Sequence, residues 1–455
     1  MSRPGKVVVV GAGVTGLASA LLLARRGWQV EVHEAAATIG GMLAPVRFRG
    51  VDCDLGAHRL HEEALTIPLI GELAGAMDLR LRPRSGQIVL GGRHTPYPID
   101  PVGLFRGLGL RQGAAFAASW LCRPAALAGW ESDRTGMRDG DMGYEAFVVG
   151  RVGRSAYEAF YRPYAEKVWG VEPGRLSQTV AKKRLSSSRP LGLLIAAGRR
   201  RGSRSRFLYP HAGMGRVADV IAASAREAGA YISFGRPWNG DPATIDADAI
   251  VLASPLAGAA GLADLSLPLH RGLHLLLIAL PAGSLATAGR RADAAPVDTW
   301  YVPEARYEFG RVSEVAQFSG RPAPGGEVVL CVEVPDARRG PDRDPRLDLD
   351  ALIDQLVAAG IVRPGVRPLE VLWRHLRGVY PLYERGWVPS WQHALRRLGA
   401  GGRVYPVGRQ GLLLHCNVDH CVAMASDLVD HLDSGGSAAA WAASASRYLG
   451  VQVRD

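Results

Sequence analysis

Three glycines near the N-terminus have the spacing of a phosphate-binding turn. Gly11, Gly13 and Gly16 directly follow an apolar run in the sequence KVVVVGAGVTG. The first glycine permits a tight turn, the second lets the backbone approach a pyrophosphate, and the third lets a helix pack on the strand. Glu34 stands about 20 residues further on, where a carboxylate can accept hydrogen bonds from a ribose. The spacing predicts a dinucleotide site, and by itself it does not separate NAD from FAD.

A strand, a helix and a second strand must hold these residues in place. The continuous apolar run Val7–Val10 predicts a strand that is buried on both faces, as in a parallel sheet. The residues Leu17–Arg26 predict the helix, and the turn before it, with Val14 and Thr15, presents amides and the helix dipole to the phosphates. Gln29–His33 predicts the second strand, which ends just before the carboxylate.

A second pair of glycines follows the acidic residue. Gly40 and Gly41, with Met42 after them, lie where the chain must bend closely around an extended ligand, and glycine suits such a bend. This position favours FAD as the dinucleotide, and an ordinary turn is the alternative.

The stretch NVDHCVAMASDLVDHL, near the end of the chain, has the features of a helix that begins at a ligand. Asn417 is a good N-cap, and Asp419 in the first turn suits the positive end of a helix. Val418 and the apolar residues after it follow helical spacing. Aimed at a flavin, such a helix start would stabilise the negative charge that forms on reduction. A plain capped surface helix is the alternative.

The residues just before this helix add glycines and a cation. Gly408 and Gly411 would let the backbone come close to the cofactor, and Arg409 could reach its pyrophosphate. We therefore predict that both ends of the chain fold onto one dinucleotide.

No metal site is predicted. His415, Cys416, His420 and Cys421 flank the helix start without the spacing of a zinc knuckle, and no distant second pair has a similar spacing. The chain has five cysteines without a disulfide framework, which indicates a reducing compartment.

The composition is that of a soluble globular protein rather than of a nucleic-acid-binding one. The 455 residues have 47% hydrophobic content and a net charge of +11. Arginines carry most of the positive charge, and they are scattered without an aromatic-interleaved basic patch. A basic cleft would suit an anionic substrate. The N-terminal apolar run leads straight into the glycine motif, so we interpret it as a strand rather than a signal peptide and expect a cytoplasmic protein.

One apolar segment raises the question of membrane contact. Gly113–Trp130 is broken by Arg123 and Pro124, and it is too short to span a bilayer. It predicts a helix pair in a second domain, with peripheral membrane contact as the less favoured alternative.

Three stretches resemble one group of flavoproteins. They are VDCDLGAHRLHEE (Val51–Glu63), RPYAEKVWGVEPGRLSQTVAKKRL (Arg162–Leu185) and the Gly408–Leu432 region. Together with the N-terminal motif they resemble the FAD-dependent amine oxidase, protoporphyrinogen oxidase and UDP-galactopyranose mutase superfamily. Locally the similarity to the mutase is strongest, in GAHRLH (Gly56–His61) and YAEKVWG (Tyr164–Gly170).

The resemblance implies an α/β fold with a Rossmann-type, glutathione-reductase-like FAD-binding domain. An inserted α+β substrate domain is built on a mixed sheet. The FAD-binding domain is expected at residues 1–89, 206–262 and 396–455, and the substrate domain at 90–205 and 263–395. Within the latter, the sequence predicts strands at His270–Leu280 and Glu327–Val334 and helices at Tyr144–Val152 and Leu349–Ala359.

The resemblance also implies roles for particular side chains. Gly56 and His58 would lie on a loop at the isoalloxazine, and the candidate catalytic residues are His58, His61 and Arg311. A histidine there could tune flavin protonation or act as an acid or base, and a hydrogen-bonded loop histidine is the alternative. The candidate substrate-binding residues are Tyr164, Trp169, Arg184, Tyr380, Tyr383 and Arg385.

These observations predict an FAD-dependent oxidoreductase that abstracts a hydride from a polar, sugar-containing or phosphorylated metabolite. Two alternatives remain open: a redox-neutral sugar isomerase that resembles the mutase and uses reduced flavin, and a membrane-surface enzyme that resembles protoporphyrinogen oxidase. The sequence leaves the substrate, the electron acceptor and the oligomeric state undetermined.

Overall fold

A computed structural model describes residues 5–97, 110–122, 142–184, 206–259, 262, 264–286, 296–340, 342 and 344–453. The strands are β1 (Lys6–Val10), β2 (Gln29–His33), β3 (Val46–Phe48), β4 (Val51–Cys53), β5 (Leu79–Pro83), β6 (Gly86–Leu90), β7 (Arg93–Tyr97), β8 (Arg206–Pro210), β9 (Tyr231–Ser233), β10 (Ala249–Leu252), β11 (His270–Leu280), β12 (Thr299–Tyr301), β13 (Arg311–Glu314), β14 (Val328–Pro335), β15 (Glu370–Pro381) and β16 (Val404–Pro406).

The longer helices of the described residues are α1 (Val14–Arg25), α2 (Pro68–Leu73), α3 (Leu110–Leu121), α4 (Tyr144–Val152), α5 (Arg162–Trp169), α6 (Gln178–Arg184), α7 (Gly215–Glu227), α8 (Leu349–Ala358), α9 (Trp387–Ala400), α10 (Val418–Asp433) and α11 (Ala438–Ser444). Shorter helical turns connect several of these elements. Within the described ranges, no helix combines the length and the apolarity that crossing a bilayer requires.

The first sheet is parallel and has the strand order β16-β10-β1-β2-β9. β1 lies at its centre because four consecutive valines can be buried on both faces, and they are at most 4% exposed. Helix α1 packs against α7 and α10, so a helix from the last part of the chain supports the first helix. The strands therefore come from three distant segments of the chain.

The second sheet is mixed and has the order β15-β11-β14-β13-β12-β6-β7. Only β12 and β6 pair in parallel among these neighbours; the other pairs are antiparallel. The long strand β11 lies between β14 and β15, and its residues from Leu275 to Leu280 are fully buried. The predicted α/β class, with a Rossmann-type domain and a mixed sheet, is confirmed.

The observed elements follow the predicted ones closely. The strand at His270–Leu280 and the helix at Tyr144–Val152 have the predicted bounds. Helix α1 begins at Val14, before the predicted Leu17, because the amide of Leu17 already donates to the carbonyl of Gly13 at 2.9 Å. In the apolar segment 113–130, the structure describes residues up to 122, with α3 ending at Leu121, and the predicted second helix lies outside the described residues. The domain boundaries stay predictions, although β6 spans the predicted limit at residue 89 and belongs to the second sheet.

Candidate functional site

One cavity of about 600 Å³ lies between the two sheets. Its wall includes the N-terminal turn at Gly11 and Gly13, the start of α10 at Asn417 and Val418, and Tyr380 from β15. Both ends of the chain and the second sheet thus meet at one site.

Each of the three N-terminal glycines is required for a different structural reason. Gly11 has a φ of +102°, a left-handed conformation that strains other residues. A Cβ at Gly13 would meet no protein atom within 4 Å, so the space beside it belongs to the cavity. A Cβ at Gly16 would lie 1.9 Å from the carbonyl oxygen of Gly11, so that glycine lets α1 pack on the turn. These are the conditions under which backbone amides can contact a pyrophosphate.

The carboxylate of Glu34 lies at the end of β2 in the cavity wall. One of its oxygens accepts from the amide of Ala12 at 2.7 Å and the other from the amide of Ala36 at 2.8 Å. These bonds fix the side chain, and each oxygen keeps acceptor capacity for a ribose hydroxyl.

The second glycine pair bends the chain back onto the first motif. Gly40 and Gly41 have φ angles of +105° and +55°, and the amide of Gly40 donates to the carbonyl of Ala12 at 2.9 Å. A Cβ at Gly41 would lie 3.3 Å from the Cα of Gly13. Met42 also lines the cavity, so this segment is part of the predicted site.

The start of α10 has the predicted cap. Asn417 and His420 form a reciprocal capping box, in which the amide of Asn417 donates to Nδ1 of His420 at 3.2 Å. Asn417 and Val418 line the cavity. Asp419 lies in the first turn outside the cavity wall, and its buried Oδ1 has no hydrogen-bond partner.

The glycines before α10 lie close against neighbouring elements. A Cβ at Gly408 would lie 2.3 Å from Oγ1 of Thr15, and one at Gly411 would lie 2.1 Å from the carbonyl oxygen of Leu252. They therefore let this segment approach α1 and β10. Gly408 is accordingly absent from the cavity wall, as are Gly16 and Gly56.

Arg409 is held by the protein backbone. Its two terminal nitrogens donate to the carbonyls of Cys416 at 3.1 Å and Val379 at 2.8 Å, and its Nε has no partner. The guanidinium lies in the cavity wall. It can therefore offer positive charge and N–H donors, including its Nε–H, to an anionic ligand.

His58 and Arg311 lie in the same wall. Burial, together with the charges of Arg311 and Arg409, lowers the pKa of His58 to about 3. Its Nδ1 is buried without a partner. Arg311 donates from Nε to Glu333 at 2.7 Å. His58 is thus neutral near pH 7, which favours a hydrogen-bonding role beside a ligand over proton transfer.

The candidate substrate residues divide into two groups. Tyr164 and Tyr380 line the cavity, and Trp169 packs edge-on against Tyr380 with ring centroids 5.8 Å apart, behind the wall. Tyr383 is buried, donates to the carbonyl of Leu413 at 2.8 Å and accepts from the amide of His415 at 2.8 Å. Its hydroxyl thus orders the loop before α10.

Two other predicted residues lie outside the cavity wall. Arg385 lies in a separate surface depression with Arg175 and Glu384, and His61 precedes a short helical turn away from the cavity. Arg184 ends α6, and its side chain lies outside the described residues.

The cavity wall also contains residues that sequence reasoning missed. They are Arg236 and Trp238 after β9, Gln410, His415, Cys416, Cys421 and Val453. The amide of Arg236 donates to the carbonyl of Glu34 at 2.9 Å, so the pairing of β9 with β2 brings this loop to the ribose side of the site. The only available signal was the short aromatic turn RPWNG after a strand.

One group of possible metal ligands lies in the second sheet. Ligand atoms of His274, Asp336 and His375 lie within 4.8 Å of one another. The indole N–H of Trp373 donates to Nδ1 of His274 at 3.1 Å, so Nε2 carries the proton, and it contacts the carbonyl of Gly340 at 2.7 Å. A protonated ring nitrogen cannot bind a cation, so this group is a hydrogen-bonded cluster as it stands.

Comparison with known proteins agrees with this geometry. Residues 9–66 match the model of an NAD(P)-binding Rossmann-like domain. A coproporphyrinogen III oxidase of Propionibacterium freudenreichii is 27% identical over 415 residues, which are 77% of this chain and 76% of that protein. Protoporphyrinogen oxidase 2 of Arabidopsis thaliana is 36% identical over 105 residues. A hydroxyneurosporene desaturase of Rubrivivax gelatinosus is 52% identical over 54 residues. These two matches cover 22% and 12% of this chain, and only 20% and 10% of the relatives.

Solved structures extend the similarity over the whole chain. A reduced UDP-galactopyranose mutase has a TM-score of 0.76 at 18% identity, covering 98% of this chain and 99% of the mutase. A putative protoporphyrinogen oxidase from Exiguobacterium sp. 255-15 has a TM-score of 0.68 at 18% identity, covering 96% and 100%. A cyclohexylamine oxidase from Brevibacterium oxydans has a TM-score of 0.62 at 16% identity, covering 94% and 100%.

The chain has the fold of the FAD-dependent superfamily that contains these amine oxidases, porphyrinogen oxidases and the mutase. The resemblance predicted from the sequence is therefore confirmed. The cavity also fits FAD in its chemistry, because it combines an open glycine turn at a helix start, a fixed carboxylate at a strand end, and buried nitrogens of His58 and Arg409 without partners.

Proposed function

We propose that this protein is an FAD-dependent oxidoreductase that removes a hydride from a polar, anionic or glycosylated metabolite. The observation that carries the proposal is the shared cavity between the sheets, because the dinucleotide turn, the start of α10 and side chains of the second sheet contribute to one wall. Such a site can hold the dinucleotide at one end and place a substrate over its ring at the other.

In this proposal, each part of the cavity wall binds a different part of the cofactor or the substrate. The amides at the start of α1 and the turn before it bind phosphate, and Glu34 accepts from the ribose. The start of α10 presents the positive end of a helix to the cavity. Bound FAD supplies the two-electron chemistry that no side chain offers. His58, being neutral, and the hydroxyls of Tyr164 and Tyr380 then orient the substrate by hydrogen bonds.

The charge of the wall supports an anionic ligand. Among the described residues that line the cavity are four arginines, Arg59, Arg236, Arg311 and Arg409, and one carboxylate, Glu34. Arg59 and Arg311 are paired with Asp298 and Glu333, so Arg236 and Arg409 supply the charge that would face an anionic group of the ligand.

Anaerobic reduction tests the proposal. The purified protein is expected to be yellow, and its flavin band should bleach when a suitable sugar nucleotide, nucleoside or glycoside is added without oxygen. If no compound in a broad panel reduces the flavin, the proposed substrate class is wrong. A colourless protein that refuses added FAD and binds only a nicotinamide nucleotide would refute the cofactor as well.

A matched pair of variants separates loss of cofactor from loss of fold. Gly13→Leu places its side chain in the cavity, whereas Gly75→Leu places the same side chain in open space on the surface. Only the first should lose bound flavin, and neither should change the Tm of the flavin-free protein by more than about 2 °C, since changes in open space are generally within about 0.5 kcal/mol.

Two other functions of the same site have specific support. The fold similarity to UDP-galactopyranose mutase supports a redox-neutral isomerase, which would turn over only after prior reduction and would leave substrate and product isomeric. The coproporphyrinogen oxidase relative supports a porphyrinogen oxidase, and a membrane-surface version would cosediment with liposomes even at high salt, where weak charge attraction is screened.

A further inference from the structure

Two cysteines of the cavity wall lie next to each other across the start of α10. The Sγ atoms of Cys416 and Cys421 are 3.5 Å apart. Both residues line the cavity, and they are only 3% and 4% exposed. Neither has a role in the dinucleotide site described above, and their sulfurs meet although four residues separate them in the sequence.

We propose that Cys416 and Cys421 form a redox-active dithiol that closes to an intrachain disulfide by exchange with a low-molecular-weight disulfide. The inference is independent of the proposed function, because it concerns only the sulfur atoms and their surroundings. A disulfide needs the two sulfurs about 2 Å apart, so the sulfurs must approach each other by about 1.5 Å.

The exchange is balanced within the pair and its oxidant. The thiolate of Cys421 attacks one sulfur of the small disulfide, which breaks the S–S bond and releases one small thiolate. The thiolate of Cys416 then attacks Sγ of Cys421, forms the intrachain S–S bond and releases the second small thiolate. The two cysteines lose two protons and two electrons, and the small disulfide gains them as two thiols.

The surroundings of Cys421 favour its thiolate. A hydrogen bond with Cys416, with smaller contributions from Thr15 and Arg409, lowers the pKa of Cys421 to about 7 against the opposing effect of burial. Cys421 also lies in the first turn of α10, where its amide donates to the carbonyl of Asn417 at 3.1 Å. The positive end of the helix dipole stabilises a thiolate in this first turn.

Two other buried cysteines provide an internal contrast. Burial raises the pKa of Cys53 to about 12, with contributions from Asp54 and Asp52, and burial also raises the pKa of Cys331 well above its usual value. At neutral pH a much smaller fraction of Cys53 than of Cys421 is thiolate, and this outweighs the higher nucleophilicity of the more basic thiolate. Exchange at Cys53 should therefore be slower than at Cys421 by a factor on the order of a hundred or more. Burial alone therefore does not make a cysteine reactive here.

The test uses the full chain carrying Cys122→Ser, which removes the exposed cysteine. The reduced protein is incubated with millimolar oxidised glutathione, both with and without added FAD, and quenched with acid. It is then unfolded, alkylated, digested and examined by mass spectrometry. In at least one of the two conditions, the peptides with Cys416 and Cys421 should be joined and two hydrogens lighter, while Cys53 and Cys331 remain alkylated.

Single substitutions give a second readout. Cys416→Ser should leave Cys421 as a mixed disulfide with glutathione, because the resolving thiol is missing. The proposal is overturned if Cys416 and Cys421 are both alkylated under both conditions while Cys122 in the unsubstituted chain takes up glutathione. It is equally overturned if the unsubstituted pair stops at a glutathione adduct. Neither result bears on hydride transfer, so failure here leaves the proposed function standing.

Discussion

Asp54 allows a direct test of how burial affects a side-chain pKa beside this site. It follows β4 and precedes the loop that carries Gly56 and His58, and it is 9% exposed. Its Oδ2 accepts from the hydroxyl of Tyr209 at 2.6 Å and its Oδ1 from the amide of Met214 at 3.1 Å. Asp54 thereby ties the loop of the candidate site to β8 and to the start of α7.

Burial raises the pKa of Asp54 from 3.8 to about 7, and the nearby Asp52 contributes in the same direction, whereas the bonds from Tyr209 and Met214 oppose the rise. A folded-state pKa above the unfolded value means that the folded chain holds the proton more tightly. The stabilisation is fully present below the unfolded pKa of 3.8, and it is lost as the pH rises through the folded pKa of about 7. A shift of about three units corresponds to about 4 kcal/mol.

Asp54→Asn removes this titration and keeps the carbonyl oxygen that accepts from Met214. The free energy of unfolding of the variant should therefore be close to that of the natural chain near pH 4. At pH 8 the variant should be more stable by about 4 kcal/mol, because the natural chain must then bury a carboxylate. Urea unfolding followed by tryptophan fluorescence at several pH values, with FAD absent from both samples, measures this difference.

Asp52→Asn is the matched control. The carboxylate of Asp52 pairs with Arg47 at 3.1 Å on the surface, and removing it should change stability by no more than about 1 kcal/mol. If the difference between the natural chain and Asp54→Asn is the same at pH 4 and at pH 8, Asp54 is not held protonated and the reasoning fails.

Three further predictions concern buried polar groups. Arg59→Met should destabilise the fold by about 3 to 5 kcal/mol, because it leaves the buried Asp298, 3.0 Å from the guanidinium, without its charge partner. In thermal unfolding, the double variant with Asp298→Asn should recover part of this loss, and no recovery would contradict the pairing. Lys167→Met should lower the free energy of unfolding by about 3 kcal/mol or more, because its Nζ donates to the carbonyls of residues 302, 304 and 309 at 2.6 to 3.0 Å; a change below about 1 kcal/mol in urea unfolding would refute this. The imidazole of His58 should stay neutral above about pH 4, since its pKa is about 3, so its nitrogen NMR signals should not shift between pH 5 and 8; a transition near pH 6.5 would show that the ring is hydrated.

Much of the fold follows from local sequence features. The buried run at Val7–Val10 and the apolar strand His270–Leu280 have no competing local signal, so their burial decides their structure. The start of α10 was also predictable, because Asn417 supplies a cap and an apolar helical pattern follows it. The role of Gly16 followed from its spacing, since helix and strand geometry alone brings it against Gly11.

The remainder of the site depends on contacts between distant segments. A glycine in the sequence indicates that another group approaches closely, but it does not identify that group. The approach of Gly408 to Thr15 and of Gly411 to Leu252 is visible only in the fold. Trp238 reaches the cavity only because β9 pairs with β2, across a separation of about 200 residues, which no local pattern encodes.

The meeting of Cys416 and Cys421 has a different cause. It depends on the turn of the chain into α10, which brings two sulfurs together at a spacing that is neither helical nor a known motif.

The order of strands in the parallel sheet has a consequence for biosynthesis. β16 pairs with β10, which pairs with β1, and the sheet is incomplete until residues 404–406 have been made. At about 5 to 20 residues per second, roughly 20 to 80 s separate the translation of β1 from that of β16. During that interval the nascent polypeptide has an exposed sheet edge and an incomplete nucleotide pocket, to which chaperones can bind. The cofactor can stabilise the folded protein only after α10 has been translated.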